Sequence, residues 1–135
     1  MRRIVLAAFA LTVLAACGDA FSPESVSGSY QLVSVSGNTL PFSETNTAGG
    51  VTVEMTINAG SVTLNENGTF STSIDLEIVS DVFTGDETLT SSGTFTLVEP
   101  ATVQFINEWD EQFGGTLESD RLTLIEAGHS YLYER

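Results

Sequence analysis

From residue 28 onward, apolar and polar residues alternate along the chain with a period of two. Val53, Met55 and Ile57 alternate with polar residues, and the same alternation returns around Ile74 and Leu76. A period of two places successive side chains on opposite faces of a strand, whereas an amphipathic helix needs a period near 3.6. The pattern predicts an all-β domain of half-buried strands.

Short turns separate these alternating segments, so each predicted strand returns beside the one before it. Closing the first strand against the last removes the exposed edges of such a meander. We therefore expect a small up-and-down antiparallel meander barrel of eight to ten short strands, with a two-sheet β-sandwich as the alternative. The predicted strands span residues 29–36, 51–58, 61–65, 69–79, 86–90, 94–98, 102–107, 112–118, 121–126 and 129–134.

The turn lengths follow from keeping apolar residues on one face, because residues opposite each other in a hairpin point the same way. A three-residue loop that ends at Gly68 sets Leu64 opposite Phe70. The same loop length at 91–93 predicts a second hairpin, with Leu89 opposite Phe95. Further along, two-residue turns are predicted at 119–120 and 127–128.

These registers predict which side chains point into the barrel. Large rings occupy much of a shallow barrel, since each buries about 150–250 Å². We expect a mostly filled core with at best a small pocket at one open end, whereas a continuous apolar cavity of roughly 300 Å³ or more would indicate a ligand carrier. The predicted inward set is Val53, Met55, Ile57, Leu64, Phe70, Ile74, Leu76, Leu89, Phe95, Leu97, Phe105, Leu117, Leu122, Leu124, Tyr131 and Tyr133.

The first sixteen residues have the layout of a secretory signal. Arg2 and Arg3 form a short positive region, and residues 4–13 are almost entirely apolar. This run is too short to span a bilayer as a helix, and its order is typical of a signal peptide. Residues 14–17, Leu-Ala-Ala-Cys, resemble the bacterial lipobox. In that family the cysteine thiol receives diacylglycerol, the chain is cut before the cysteine, and the new amino group is acylated.

The lipobox resemblance implies both domain boundaries and a location. It makes residues 1–16 a cleaved signal, 17–27 a lipidated N-terminus and tether, and 28–135 the barrel domain, with Cys17 as the lipid attachment site. Acyl chains then anchor the protein to a membrane of the cell envelope. Gly18 follows the cysteine, which by the same resemblance favours the outer membrane, facing the periplasm, in a Gram-negative source.

A second resemblance covers most of the chain after residue 27. The segments GSYQLVSVSGNTLPF, VTLNENGTF, SSGTFTLVEPATVQF and GTLESDRLTLIEAGHSYLYER resemble the lipocalin-like lipoproteins of bacteria, in the calycin group. Lipocalins open their first strand with Gly-x-Trp and pack a basic residue over that ring. Here Tyr30 stands in place of the Trp, and Arg135 or Arg121 would supply the basic residue. The Thr-Asp-Tyr signature of true lipocalins is absent.

The charge balance excludes one class of partner. The chain has 18 acidic and 4 basic residues, and its formal net charge is −14 at pH 7. Cleavage after residue 16 would leave only two arginines. A surface this acidic repels nucleic acid and anionic headgroups, so we expect no nucleic-acid binding. The single cysteine leaves no intrachain disulfide.

Candidate chemistry is sparse. Two acidic stretches, 81–87 and 107–111, raise the question of calcium, but neither matches the helix–loop–helix pattern. We interpret both as solvated acidic surface and expect no metal and no cofactor. His129 is the only histidine, and no Gly-x-Ser-x-Gly motif occurs. We expect no enzyme activity, and we expect His129 to form a partly exposed ion pair with Glu126 across the 127–128 turn.

Two classes of function remain open. The first is a non-enzymatic interaction or structural module that meets an unknown protein partner. The alternative is a carrier that holds a small apolar or amphipathic ligand in the barrel mouth, and a second alternative is an inhibitor or accessory domain for an envelope enzyme. Trp109, the lone tryptophan, is expected to cap one end of the core, with a rim contact for a partner as the alternative.

Overall fold

The structure is a computed structural model that describes residues 21–135. This part of the chain is mainly β-strand with almost no helix, as the alternation predicts. One short helix, α1, spans Pro23–Val26. The ten strands are β1 (Gly28–Val35), β2 (Asn38–Thr39), β3 (Phe42–Ala48), β4 (Val51–Leu64), β5 (Thr69–Ser80), β6 (Thr84–Val98), β7 (Thr102–Asn107), β8 (Gln112–Glu118), β9 (Arg121–Glu126) and β10 (His129–Glu134).

Eight strands close into an antiparallel barrel, and the other two lie outside the ring. The ring closes at β1, which pairs with β10 on one side and with residues 61–64 of β4 on the other. The first strand therefore closes against the last, as expected, and the β-sandwich alternative is wrong. Between these contacts, β4 to β10 follow one another in chain order.

The two additional strands lengthen the sheet past the barrel. β2 pairs with the end of β1, and β3 pairs with residues 51–57 of β4. We call β3, together with residues 51–57, 76–80 and 84–87, the extension. Neither β2 nor β3 was predicted, because residues 38–48 carry mostly polar side chains and show no clear alternation.

Two pairs of predicted strands are each one continuous strand. Residues 51–64 form β4, with a bulge between Ile57 and Ala59. The predicted hairpin at 91–93 is wrong: β6 runs straight through, and Gly93 pairs with Phe70 on one side and Asn107 on the other. A Cβ at Gly93 would overlap the carbonyl oxygen of Ile106. The glycine therefore permits a close approach of two backbones rather than a turn.

The other predicted turns form. The loop that ends at Gly68 sets Leu64 opposite Phe70, and Gly68 has the positive φ of 81° that this loop needs. The two-residue turns at 119–120 and 127–128 also form with the predicted pairings. Local turn chemistry and the apolar pattern agree at these three places.

Aromatic rings fill the barrel interior. Phe70 meets Phe105 edge-on at 4.8 Å between ring centroids, and Phe105 stacks on Phe113 at 4.9 Å. Most of the predicted inward set is buried, but Met55 is 42% exposed and Leu89 is 49% exposed. Both side chains lie on the inward face of the sheet. They are exposed because they lie where the strands begin to extend past the closed ring, and no strand opposite covers them. Buried hydrophobic residues that were not predicted are Val26, Tyr30, Leu32, Val35, Val62 and Val103, and one polar residue, Asn107, is buried as well.

One end of the barrel is closed by the segment before β1. Phe21 and Val26, which the sequence assigned to the tether, pack against the core. The Tyr30 hydroxyl donates a 2.7 Å hydrogen bond to the carbonyl oxygen of Val26. We call this the plugged end; the β8–β9 turn and the C-terminus lie beside it, since Arg135 contacts both Ser27 and Asp120. The opposite end is the mouth.

Candidate functional site

The mouth contains a cavity of about 250 Å³. Strands β5 to β10 and the loop between β7 and β8 supply its walls. Its volume is below the 300 Å³ that would indicate a carrier. The side chains that line it are Thr72, Ile74, Leu89, Thr90, Ser91, Asn107, Trp109, Glu111, Phe113, Leu124, Glu126 and Tyr133.

Asn107 organises the loop between β7 and β8. Its side-chain oxygen accepts hydrogen bonds from the backbone N–H groups of Trp109 at 3.0 Å and Glu111 at 2.9 Å. Its amide nitrogen donates to a Glu111 carboxylate oxygen at 2.9 Å. An asparagine that bonds the backbone two residues ahead is a stable turn element. This turn places Trp109 and Glu111 at the rim of the mouth.

A second contact ties the same loop to β6. A carboxylate oxygen of Glu108 accepts hydrogen bonds from the Ser92 N–H at 2.8 Å and from the Ser91 hydroxyl at 3.0 Å. The bond from the Ser92 backbone is the main reason that the pKa of Glu108 lies below its usual value. The loop is therefore held by β6 as well as by β7.

Trp109 lies at the rim of the mouth and does not cap the core. It is 64% exposed, although it lines the cavity. The expectation of a core-capping ring is wrong, because the Asn107 turn holds Trp109 in the loop, where most of its side chain is exposed. The alternative, a rim position open to a partner, matches the observed geometry.

The floor of the cavity carries a hydroxyl with no partner. Tyr133 is 2% exposed and lines the cavity. Its inward position is set by the register, in which it lies opposite Leu122. Among residues 21–135, no hydrogen bond reaches the Tyr133 hydroxyl. Burial, more than any neighbouring charge, raises the pKa of Tyr133 above its usual value, so this group is a neutral phenol at physiological pH.

Glu126 is an acidic residue in the inward phase. It follows Leu122 and Leu124 at intervals of two along β9, so it continues their face of the sheet into the mouth. No described residue forms a hydrogen bond or an ion pair with its carboxylate. Burial raises the pKa of Glu126, and the charge of Glu111 raises it further.

His129 does not pair with Glu126, although the two lie opposite each other in the register. Its Nε2 meets a carboxylate oxygen of Glu44 at 3.1 Å, and its Nδ1 meets the Ser36 hydroxyl at 3.2 Å. The expected Glu126 pair is wrong because β3, which was not predicted, brings Glu44 to the ring. These contacts fasten the extension to β10 beside the mouth.

The contacts of His129 link a serine, a histidine and a carboxylate, the residue types of a hydrolase triad. Ser36, however, meets Nδ1, and the Glu44 side chain is 58% exposed. None of the three residues lines one of the described cavities. Ser36 is itself exposed, so we interpret the arrangement as a structural fastening.

The two arginines of the barrel lie at the plugged end. The Arg135 guanidinium lies 5.3 Å from the centroid of the Tyr30 ring and donates a 2.7 Å hydrogen bond to the carbonyl oxygen of Ser27. It also pairs with Asp120 at 2.8 Å. Arg121 pairs with Glu134 instead. Arg135 therefore supplies the basic residue over Tyr30 that the lipocalin resemblance implies, and no cationic side chain lines the mouth cavity.

The remaining predictions concern the acidic stretches, the lipid attachment site and the signal segment. Within residues 21–135, no three His, Cys, Asp or Glu side chains gather in a way that could hold a metal. The 107–111 stretch is the Asn107 turn, and the Ser80 hydroxyl accepts backbone hydrogen bonds at the start of 81–87. Cys17 and the signal segment lie outside the described residues. In the described part of the chain, no helix is long and apolar enough to cross a bilayer.

Sequence reasoning missed Glu126 and Tyr133 as mouth residues. The signal that could have identified Glu126 is its inward phase, two residues after Leu124 at the end of a strand. Nothing in the sequence shows that Tyr133 lacks a hydrogen-bond partner, because that depends on strands distant in the chain. The chain matches no protein-family model, no curated protein and no solved structure.

Proposed function

We propose that this protein is a lipid-anchored cell-envelope protein that acts, without catalysis, as an interaction module, with the mouth as its binding end. One observation carries the proposal: side chains fill the barrel, whereas the mouth leaves large apolar groups open to solvent. Trp109 is 64% exposed and Leu89 is 49% exposed. Exposed apolar groups gathered at a rimmed cavity are typical of binding sites.

The position of the lipid supports this orientation. Only residues 18–20 separate Cys17 from Phe21, which packs at the plugged end. An extended chain spans at most about 3.5 Å per residue, so acyl chains on Cys17 would hold the plugged end close to the bilayer. The mouth then faces away from the membrane, toward the periplasm in a Gram-negative source.

The carrier function is the second candidate, and the mouth cavity favours it. At about 250 Å³ the cavity lies just under the lower bound of ordinary ligand pockets. Its small size and its open rim favour the interaction module, since a partner protein covers more apolar surface than a small ligand does. An inhibitor or accessory domain would use the same mouth on an envelope enzyme.

Site-specific photocrosslinking in cells tests the proposal. A benzophenone amino acid replaces Trp109 at the mouth in the full chain, and in the matched control it replaces Val98, which is 46% exposed beside the turn that joins β6 and β7 at the plugged end. We expect a crosslinked species of defined mass only from position 109. Equal crosslinking from both positions, or none from either, contradicts the proposal.

The membrane anchor and the lack of catalysis have their own tests. Cys17→Ser is expected to leave an unprocessed precursor or a soluble form, so normal processing and membrane fractionation of this variant would contradict lipidation. Because His129 is interpreted as a fastening, His129→Ala should leave crosslinking at position 109 intact. Labelling of Ser36 by a fluorophosphonate would contradict the non-catalytic interpretation.

A further inference from the structure

The mouth combines apolar walls with acidic groups that no cationic side chain neutralises. Glu126 lines it with no partner among the described residues, and Glu111, which accepts a hydrogen bond from the Asn107 amide, lines it as well. Glu87 lies on the same face of the sheet, opposite Leu76 and two residues from Leu89. No lysine or arginine lines the cavity, and the two ionisable carboxyl groups that line it, on Glu111 and Glu126, carry negative charge when deprotonated.

The floor and the rim add groups that attract a cation. The unpaired Tyr133 hydroxyl faces the cavity and offers lone pairs to a donor. Trp109 and Phe113 place aromatic rings in the walls, and the faces of such rings attract ammonium and guanidinium groups. A carboxylate that accepts a hydrogen bond from a cation makes one of the stronger bonds found in proteins.

We propose that the mouth binds an organic cation, an ammonium or guanidinium group on an apolar stem, and that a lysine or arginine side chain of a protein partner supplies it. This inference rests on the proposed function and names the chemistry of the partner. The cationic group lies between Glu111, Glu126 and the Tyr133 hydroxyl. The stem packs against Ile74, Leu89 and Leu124.

The assignment to a protein follows from the surface beside the cavity. The inward face of the extension continues from Leu89 to Met55 and Val51, which are 42% and 44% exposed. A free amine fills the cavity but leaves this face open to solvent. A peptide segment with apolar residues on either side of its basic residue covers both.

The test is a titration of the full chain in detergent, and the fluorescence of its lone tryptophan, Trp109, reports binding. The probes are the peptide acetyl-Leu-Phe-Lys-Leu-Phe-amide and two versions in which norleucine or glutamate replaces the lysine. Hexylammonium is the free-amine probe. We expect the lysine peptide to bind at least tenfold more tightly than the norleucine peptide, the glutamate peptide to bind most weakly, and hexylammonium to bind more weakly than the lysine peptide.

Variants tie this preference to the mouth. Glu126→Gln should remove most of the preference for lysine over norleucine while it leaves the binding of the norleucine peptide unchanged. The matched control is Glu77→Gln, which makes the same change on the outward face of β5, where Glu77 is exposed; it should leave every affinity unchanged. An equal loss in both variants would show only a long-range charge effect and would overturn the site.

Two other results overturn the inference in different ways. Equal affinities for the lysine and norleucine peptides would show that the mouth does not recognise a cationic group. Crosslinking at position 109 would in that case still support the proposed function. Hexylammonium binding as tight as that of the lysine peptide would make the source a free amine and restore the carrier. If neither peptide binding nor crosslinking is observed, both the inference and the proposed function are contradicted.

Discussion

The two ends of the barrel are built in opposite ways. At the plugged end, Tyr30 is fully buried, its hydroxyl donates to Val26, and all three guanidinium nitrogens of Arg135 have acceptors. At the mouth, Trp109 is mostly exposed, and neither Glu126 nor the Tyr133 hydroxyl has a partner among residues 21–135. Both ends belong to one continuous sheet, so the difference lies in the side chains.

This difference separates groups that stabilise the fold from groups left free for a partner. A polar group that is paired within the chain contributes to stability, whereas an unpaired, partly buried one opposes folding until something binds it. Natural proteins accept such costs at functional sites. The following substitutions test whether stability resides at the plugged end and binding resides at the mouth.

Tyr30→Ala should have the largest effect. Loss of a fully buried ring costs about 3–5 kcal/mol, which is a large part of the stability of a domain this size. Trp109→Ala should cost less than about 1 kcal/mol, because most of that ring is already in water. Urea unfolding followed by circular dichroism measures both. Where Tyr30→Ala fails to fold, Tyr30→Phe should still lose about 1–2 kcal/mol, since the carbonyl of Val26 loses its donor. Equal losses at the two ends would contradict the comparison.

Gly93→Ala tests whether the backbone near the mouth is as closely packed as the plugged end. The new methyl group would overlap the carbonyl oxygen of Ile106, and overpacking of this kind typically costs about 1–3 kcal/mol. Ser92→Ala, one residue earlier and exposed, should change the free energy of unfolding by less than about 0.5 kcal/mol. Thermal unfolding of the two variants measures the difference. Equally mild effects would contradict the close approach of the two backbones at Gly93.

Arg135→Met tests whether the contacts of Arg135 at the plugged end contribute more to stability than an ordinary surface ion pair does. It removes the contact with the Tyr30 ring, the hydrogen bond to Ser27 and the Asp120 pair, so we expect a loss of about 1–2 kcal/mol. Arg121→Met removes only the exposed Glu134 pair and should cost less than about 1 kcal/mol. Urea unfolding at low and high salt distinguishes them, because salt should weaken a larger share of the Arg121 contribution, which is an exposed ion pair alone, than of the Arg135 contribution. A smaller loss of unfolding free energy for Arg135→Met than for Arg121→Met would show that the Arg135 contacts at the plugged end add no stability beyond a surface ion pair.

Glu126→Gln should have the smallest effect on stability, and the opposite sign. Because the pKa of Glu126 is raised in the folded state, its contribution to stability is fully present below the unfolded pKa and is lost as pH rises through the folded pKa. The glutamine variant should therefore be slightly more stable than the natural protein at pH 7, by less than about 1 kcal/mol given the partial exposure. The difference should vanish near pH 3.5. Destabilisation at pH 7 would indicate a partner for this carboxylate within the chain.

Local chemistry in the sequence was sufficient for much of the fold. The two-residue alternation predicted strands, and the loop that ends at Gly68 predicted the register of β4 and β5 because only one loop length keeps Leu64 and Phe70 on one face. The short turns at 119–120 and 127–128 followed from the same argument. Closure of the first strand on the last followed from the need to pair free edges. Each inference uses residues that are close in the chain, or a general requirement of sheets.

Only the tertiary structure decided the role of Gly93, the existence of β3 and the contents of the mouth. A glycine serves a turn or a close backbone approach equally well, and the choice here depends on β7. Strand β3 forms because β4 runs past β1 and leaves an edge, and it then brings Glu44 to His129 in place of Glu126. The Tyr133 hydroxyl and Glu126 are left unpaired because no donor from another strand reaches them. Pairing between distant strands, which no local pattern encodes, determines which polar groups remain free to bind.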